Sequence, residues 1–498
     1  MTHALRLLSR CGSLFYFWVA MAGLAMVASG AAQASDAIYV GKNLTKDGGV
    51  LLAGFGDEPS SHWLSIVPRR QHPPGETITV GGTPQANLPG ELINIPQARE
   101  TYRYMSMDYS YFLGLPAPLT NGGLNEYGLA VRDVALFSRR ELVAMTPNPQ
   151  HGVNYSDIAR IVLERARTAR EAVDIAVDLI EKYGYFTYGG NSHVFADANE
   201  GWVLLEFAGG KGLWVAHRLG PDDIWLNWRG YHKFGYVQTL PPDMGKNPDY
   251  RASKNFISFA IQQGWYIPEG STPFNVIDVY ARPDQYSDIT AAEAQRVAAA
   301  VRSAAPHVDI QLLMRQLHAV ARDSSGYGQV ADLHANVTPD LRTLWVAPGP
   351  PITAAFVPWR LGVDSVPPEY RRHRYLTAGE AERIIDPAQQ GLESTPYADA
   401  AVKRLLYLVD EHRELFLPEV SAALDAFDTR QLAAQQEIER TARALLDAHE
   451  EGLARRYLAE QAHASAADGL HLIQSLADGI EARTKVFFGI RTPEDSVK

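Results

Sequence analysis

Cysteine is almost absent from this chain of 498 residues, which contains only Cys11, close to the amino terminus. One cysteine cannot form a disulfide within the chain, and thiol chemistry is excluded if the segment carrying Cys11 is removed. The sequence also lacks the His-Glu-x-x-His motif of zinc peptidases and the Gly-x-Ser-x-Gly motif of α/β-hydrolases. It therefore indicates neither of these hydrolase classes, and we expect no metal and no cofactor.

Positive charge is also scarce, with 46 Lys and Arg residues against 57 Asp and Glu residues and a formal net charge of −11. Such a balance argues against a nucleic acid or an anionic membrane as the partner. The hydrophobic fraction of 46% is that of an ordinary globular protein, and the length suggests more than one structural unit.

The amino terminus has the three parts of a secretory signal. Arg6 and Arg10 precede an apolar stretch over residues 14–27, and Ala32-Gln33-Ala34 forms a small-x-small cleavage site. As a membrane anchor the apolar stretch would be shorter than the roughly 20 residues that a spanning helix needs. We therefore predict a signal peptide over residues 1–34, export to the periplasm or the medium, and no membrane association after processing.

Cleavage at this site would make Ser35 the first residue of the mature protein. Its hydroxyl group and a free α-amine would then belong to one residue. An unperturbed α-amine has a pKa of about 8, so near neutrality it can accept the proton of the hydroxyl. A nucleophile and its base would thus be created by processing. Small polar residues also commonly begin mature proteins, so the position by itself decides little.

The order of secondary-structure patterns predicts an α+β fold. Short apolar runs separated by glycine indicate strands in the first part of the chain, and helical periodicity follows over residues 155–167 and 169–182, with Gly184 as the stop. Further strands over 193–196, 202–207 and 213–218 are joined by turns. We predict a catalytic domain of packed antiparallel sheets over residues 35–300 and a mainly helical region over 301–498 that packs on it.

Several segments resemble the dipeptidases of the N-terminal nucleophile hydrolase superfamily, the relatives of secernin. The similarity extends over nearly all of the mature chain and is carried by Ser35 to Lys42, Asp47-Gly48, Asp57, Asn125 to Ala130, His193 to Phe207, Asn227, Ser253 to Phe256 and Val346 to Pro351. The resemblance implies a four-layered αββα fold with a helical C-terminal region. It also implies hydrolysis of an amide bond without a cofactor.

Two departures from the family pattern concern the site itself. Ser35 stands where the family has cysteine, an exchange that the superfamily permits. Gly54 stands where the family has the arginine of an Arg-x-x-Asp element, so that Asp57 is kept and the cation is lost. Arg229 and Arg132 are the two candidates for its replacement.

The resemblance assigns roles to particular residues. Asp57 would orient the terminal ammonium group, as the third member of a catalytic triad does. Asn125 and Asn227 would stabilise the oxyanion and hold the acyl group, while Trp63 and Arg229 would contact the substrate. Structural alternatives are an exposed turn for Asp57, a turn before a strand for Asn125, and core packing for Trp63.

The sequence thus predicts an exported enzyme that hydrolyses peptide or amide bonds, most simply a dipeptidase, with a small peptide or amide as its substrate. A homo-oligomer is possible. Two alternatives stay open: an acylase of small N-acyl amides with the same fold, and an inactive homologue that only binds peptides. The second follows from Gly54, because a lost guanidinium could mean a lost activity.

Overall fold

The computed structural model describes residues 35–56, 58, 60–110, 112, 114–228, 239–240, 246–268, 274–281, 288–321, 325–372 and 395–489. The predicted signal peptide over residues 1–34 therefore lies outside the described residues, as do Asp57 and Arg229. The described part of the chain forms one compact unit. No helix in these ranges has both the length and the apolar character needed to cross a membrane.

The described residues form twenty strands, most of them within the first 252 residues. They are β1 (Asp36–Val40), β2 (Val50–Phe55), β3 (His62–Val67), β4 (Arg70–Gln71), β5 (Thr77–Val80), β6 (Ile93–Pro96), β7 (Glu100–Thr101), β8 (Tyr104–Tyr109), β9 (Leu119–Asn125), β10 (Ala130–Ala135), β11 (Gly190–Ala196), β12 (Gly201–Phe207), β13 (Trp214–Leu219), β14 (Ile224–Trp228), β15 (Thr239–Leu240), β16 (Tyr250–Ala252), β17 (Phe274–Asn275), β18 (Gly328–Leu333), β19 (Thr343–Ala347) and β20 (Val357–Arg360).

The helices lie between strands and at the end of the chain. They are α1 (Arg140–Ala144), α2 (Tyr155–Arg165), α3 (Ala169–Tyr183), α4 (Phe256–Gln262), α5 (Val276–Tyr280), α6 (Asp288–Ala304), α7 (Ile310–Val320), α8 (Ala398–Asp410), α9 (Arg413–Asp447) and α10 (Glu451–Phe488), with short 3₁₀ turns at Lys42–Leu44, Pro339–Leu341 and Pro368–Tyr370.

Two antiparallel sheets form the centre of the molecule. The first has six strands in the order β14-β1-β2-β18-β19-β20, and the second has eight in the order β16-β13-β12-β11-β10-β9-β8-β3. Strands β1 and β2 of the first sheet contact β10 of the second. Helices α2 and α3 pack on the outer face of the second sheet, whereas α6 and α7 pack on the first. The elements therefore stack as helix, sheet, sheet and helix.

Strand β1 illustrates why this arrangement is stable. Ala37 and Tyr39 belong to the core between the sheets, whereas Ile38 and Val40 belong to the core beneath the helices. Both faces of the strand are buried, so its residues from Ala37 to Val40 are all apolar instead of alternating with polar residues. The first residue of the predicted mature chain thus leads directly into the centre of the fold.

The two predicted helices after residue 155 are confirmed within two residues at each end. Asn154 caps α2 in a reciprocal arrangement with Asp157, and the Thr168 hydroxyl accepts a hydrogen bond at the start of α3. Gly184 ends α3 with a φ of 92°, a conformation that favours glycine. The mixed α and β character and the helical C-terminal region are confirmed as well.

The structure differs from the predicted boundary at residue 300. Strand β18 pairs with β2 along its whole length, and β19 and β20 extend the same sheet. The layered part of the molecule therefore continues to residue 360. Long helices α9 and α10 follow only later, and α10 packs on β20. Strands β18 to β20 are short and buried on both faces, so their sequences lack the regular alternation that distinguishes a strand from buried helix.

Candidate active site

Ser35 lies immediately before β1, at the edge of the space between the two sheets. Only 4% of the residue is exposed. The next residue, Asp36, is paired with Phe55 of β2 and Trp228 of β14, so the backbone beside Ser35 is held on both sides by strands. A chain that began at Ser35 would have its terminal nitrogen at this fixed position.

A buried carboxylate lies against the Ser35 side chain. Ser35 Oγ donates a hydrogen bond to Glu58 Oε1 at 3.4 Å, and Asn121 Nδ2 donates to the same oxygen at 3.0 Å. Glu58 and Asn121 are 4% and 1% exposed. Gly56 makes room for this carboxylate, because a Cβ atom there would lie 2.1 Å from Glu58 Oε2. The serine hydroxyl therefore has an acidic partner in a site with little water.

Asn227, one of the predicted residues, lies in the same row of the first sheet. It is opposite Ala37 on β14, and Ala37 is opposite Gly54 on β2. Residues opposite each other on neighbouring strands point to the same face, so Asn227 faces the second sheet. Its Nδ2 donates to Ser192 Oγ at 2.6 Å, while its buried Oδ1 has no partner among the described residues. Asn227 thus offers a fixed polar group near the beginning of β1.

Arg132 occupies the space that the side chain of residue 54 would need. A Cβ atom on Gly54 would lie 3.1 Å from Arg132 Nε and 2.1 Å from the Asp36 carbonyl oxygen. Arg132 is on β10 of the second sheet and is completely buried. Its Nη1 donates to the Tyr327 hydroxyl at 3.1 Å. Of the two arginines considered as replacements for the family cation, this one is brought to Gly54, and the other lies outside the described residues.

Aromatic residues enclose this polar group. The His62 ring lies 5.5 Å from the Tyr109 ring and 5.4 Å from the Tyr327 ring, and the hydroxyls of Tyr109 and Tyr155 are 2.5 Å apart. Burial, reinforced by the charge of Glu58, raises the pKa of Tyr109 well above its usual range, and burial lowers the pKa of His62. The phenol of Tyr109 and the imidazole of His62 are therefore neutral at neutral pH, and the acidic and basic groups nearby are those of Glu58, Asp133 and Arg132.

Asn125 is placed elsewhere, although it was predicted beside the nucleophile. Its Nδ2 donates to the carbonyl oxygens of Leu163 and Ala166 at 3.0 and 2.7 Å, and its Oδ1 accepts from the backbone nitrogens of Tyr127 and Leu129. These bonds connect the turn after β9 to the end of α2. Its full set of hydrogen bonds is thereby used by the backbone, and a catalytic role for it stays a prediction.

Trp63 faces away from the group around Ser35. Its neighbour His62 points to Tyr109 and Tyr327, and side chains alternate along a strand. Trp63 is buried and lies beneath the guanidinium of Arg372 at 5.7 Å. The structure therefore does not bring Trp63 to Ser35, and its role in substrate binding stays a prediction.

Glu58 and Asn121 are the two site residues that the sequence reasoning did not identify. Glu58 directly follows Asp57, the acid that the sequence indicates, and the role predicted for Asp57, which lies outside the described residues, stays a prediction. Asn121 lies four residues before Asn125 on β9. Leu119 and Leu124 pack in the same core although their positions differ by an odd number, because Gly122, with a φ of 126°, interrupts the alternation. A count by twos therefore cannot identify the asparagine that faces Glu58.

A second charged group lies at a different place in the first sheet. His334 Nε2 is 3.0 Å from Asp332 Oδ1 and 3.7 Å from Asp47 Oδ2, and the three side chains present one possible ligand atom each within 4.8 Å. Hydrogen bonds to the two carboxylates raise the pKa of His334 to about 10. The imidazole therefore keeps its proton at neutral pH, and the group acts as an ion-pair cluster that a metal could enter only by displacing that proton.

Comparison with known protein families assigns this chain to one of them. Residues 34–320, more than half of the chain, match the family model described as Peptidase family C69. This chain belongs to that family. The predicted resemblance to a dipeptidase family is confirmed at this level. The match begins one residue before Ser35 and includes β1, β2 and β10.

The curated relatives carry dipeptidase names. A "Probable dipeptidase" of Latilactobacillus sakei is 27% identical over 199 residues, which cover 39% of this chain and 38% of that protein. A "Dipeptidase" of Bifidobacterium longum is 32% identical over 138 residues, covering 27% of this chain and 24% of that protein. The matched segment thus spans less than two fifths of the length of these relatives.

A solved structure shows weak structural and sequence similarity to this chain. "Structure of Penicillin V acylase from Agrobacterium tumefaciens" aligns with 66% of this chain and 86% of that chain, at 14% sequence identity and a TM-score of 0.35. This similarity is too weak to support an argument about either fold or function.

Proposed function

We propose that this member of the peptidase family is an exported dipeptidase of the N-terminal nucleophile type, with Ser35 as nucleophile after removal of residues 1–34. One observation carries the proposal: Ser35 stands at the beginning of a strand in the first sheet, with its hydroxyl hydrogen-bonded to buried Glu58. The stacking of helix, sheet, sheet and helix supports the four-layered αββα assignment. Dipeptidase names among the relatives support the substrate class.

The proposed reaction proceeds in two steps. Ser35 Oγ attacks the carbonyl carbon of the scissile amide, and the α-amine of the same residue accepts the hydroxyl proton and passes it to the leaving nitrogen. The carbon–nitrogen bond breaks and an acyl ester on Ser35 remains. A water molecule then attacks the ester, gives a proton to the amine, and releases the acid as the proton returns to Oγ.

Glu58 and Asn227 have distinct tasks in this mechanism. When the terminal nitrogen is an ammonium ion, the Glu58 carboxylate stabilises it, and Asn121 holds that carboxylate in place. Asn227 supplies an amide dipole at the carbonyl oxygen, where negative charge develops. Removal of one such donor typically costs about 3 kcal/mol of transition-state stabilisation. The steps as proposed assign no task to Asn125 or Trp63, whose roles at the site stay predictions.

The acylase alternative keeps the mechanism and changes the substrate. A panel of dipeptides and N-acyl amino acids, assayed with protein whose first residue is Ser35, separates the two. We expect turnover of dipeptides and a loss of activity in Ser35→Ala, whereas Ser35→Cys keeps part of it because cysteine is the usual nucleophile of the family. Ser465→Ala, in the distant helix α10, is the matched control and keeps full activity.

Two results would contradict the proposal. Turnover of N-acyl amino acids alone would favour the acylase. Binding of peptides without any turnover, unchanged in Ser35→Ala, would identify an inactive homologue that only binds.

A further inference from the structure

Arg132 has more hydrogen-bonding capacity than the described residues use. The residue is completely buried on β10, and its Nη1 donates to Tyr327. Its Nε and Nη2 have no hydrogen-bond partner among the described residues. A buried charged group with unused donors is costly, and an anion that bonded to Nε and Nη2 would offset that cost.

The two unused donors have the geometry of a carboxylate site. Nε and Nη2 carry parallel N–H groups on one edge of the planar guanidinium, which is the edge that binds both oxygens of a carboxylate at once. Nη1, the remaining nitrogen, is bonded to Tyr327, whose ring lies 5.3 Å from Arg132 Cζ. Tyr327 therefore holds the guanidinium from the side and leaves this edge available.

Gly54 places that edge close to the nucleophile. Arg132 Nε lies 3.1 Å from the point where a side chain at residue 54 would begin, and the same point is 2.1 Å from the carbonyl oxygen of Asp36, the residue after Ser35. The guanidinium thus reaches, from the second sheet, a position beside the beginning of β1. A larger residue at position 54 would exclude it.

The nearby carboxylates of Glu58 and Asp133 accept no hydrogen bond from Nε or Nη2 of Arg132, although the charge of Arg132 acts on Asp133. Glu58 Oε1 accepts hydrogen bonds from Ser35 and Asn121, and Asp133 Oδ2 accepts one from Asn191. The unused edge of Arg132 is therefore available to an anionic group of a ligand. A dipeptide or an N-acyl amino acid has such a group one residue beyond its scissile bond, whereas a primary amide or a long peptide does not.

We propose that Arg132 binds the free carboxylate of the substrate through Nε and Nη2, and so limits the enzyme to substrates that carry a carboxylate one residue beyond the scissile amide. The proposal rests on the proposed function, since it takes Ser35 as the reacting residue. In this proposal Arg132 on β10 replaces the arginine that the family has at the position of Gly54.

Binding to the inert Ser35→Ala protein, processed to begin at residue 35, tests this separately from catalysis. The probes are alanyl-alanine and its C-terminal amide, measured by calorimetry. We expect the acid to bind roughly 10- to 100-fold more tightly than the amide, the range for a hydrogen-bonded charged group. Adding Arg132→Gln should remove this difference, and Arg132→Lys should keep part of it.

A matched control comes from the other end of the first sheet. Arg360, also buried, donates to Gln435, far along the sheet from β1, so Arg360→Gln should leave the preference for the acid unchanged. If Arg132→Gln does not fold, Arg132→Lys decides the matter, since a lysine offers no parallel pair of donors and must weaken binding of the acid alone.

Equal binding of the acid and the amide to the Ser35→Ala protein would overturn the proposal, as would an equal loss of both in the Arg132 variants. Neither result depends on turnover. A protein that binds the acid through Arg132 but does not hydrolyse it would therefore contradict the proposed function and leave this inference intact.

Discussion

At the scale of single residues, the central contact is the one between Ser35 and Glu58. The pattern before Ser35 predicts a cleavage site, which depends on local composition, and so it indicates Ser35 as the proposed nucleophile. It did not identify Glu58, because the contact of Glu58 with Ser35 depends on how the backbone of the loop folds. Local sequence thus indicated the proposed nucleophile but not its hydrogen-bond partner.

Glu58→Gln tests that partner. Glutamine keeps the shape and can accept a hydrogen bond, but it has no charge to stabilise an ammonium ion at Ser35. We expect kcat to fall by roughly 10²-fold or more while the fold is retained. The measurement is a steady-state assay with a dipeptide, and Glu181→Gln on α3 is the control. A Glu58→Gln protein with unchanged kcat would show that the carboxylate has no part in the reaction.

Asn121→Ala separates the two asparagines of β9. It removes the donor that fixes Glu58 and is expected to lower activity by about tenfold, since it acts only through the carboxylate. Asn125→Ala removes the bonds that hold the turn after β9 and should mainly lower the melting temperature. The measurements are kcat and the melting temperature of both variants. We expect Asn121→Ala to lower mainly kcat and Asn125→Ala to lower mainly the melting temperature. A larger loss of kcat in a folded Asn125→Ala protein would return that residue to the site.

At the scale of elements, the pairing of β1 with β2 requires glycine at position 54. A methyl group there would lie 2.1 Å from the Asp36 carbonyl oxygen. We expect Gly54→Ala to destabilise the protein by about 1–3 kcal/mol, as overpacking does, and to displace Arg132. Denaturant unfolding measures the change.

Gly479→Ala is the matched control for that variant. Gly479 lies on an exposed part of α10, and no atom lies within 4 Å of an added Cβ. Alanine should stabilise the helix there by about 0.5–1 kcal/mol. The two substitutions are therefore expected to change the free energy of unfolding in opposite directions. Equal changes would contradict the close approach of β1 and β2.

Helices were easier to predict than strands for a physical reason. Apolar residues at three- and four-residue spacing indicated α2 and α3, and α3 in particular buries one face and exposes the other. Strands β18 to β20 have both faces buried and so lack the alternation that would identify them. Strand β18 at residues 328–333 pairs with β2 at residues 50–55, and no local pattern specifies a pairing between such distant segments.

At the scale of the whole molecule, the cluster of His334 with two aspartates connects distant parts of the chain. Asp47 precedes β2, and His334 follows β18. The histidine pKa is raised from 6.5 to about 10 in the folded protein. The folded state therefore holds this proton more tightly than the unfolded state, so the stabilisation is complete below about pH 6.5 and is lost as the pH rises to about 10.

His334→Gln should remove this dependence. We expect the unfolding free energy of the parent protein to decline between pH 6.5 and 10 more steeply than that of the variant, with the two curves separated most at the acidic end of that interval. Urea unfolding at a series of pH values measures both. Parallel curves over the whole interval would mean that the imidazole is not paired in solution.

The proposed mechanism requires a free α-amine at Ser35, immediately before β1 of the first sheet. The decisive measurement is intact mass spectrometry of the active exported protein, combined with the dipeptide assay on the same sample. We predict a first residue of Ser35 and full activity, and no activity when any residue precedes it. Full activity in a protein that retains Ala34, or whose chain begins at another position, would contradict catalysis by the terminal amine.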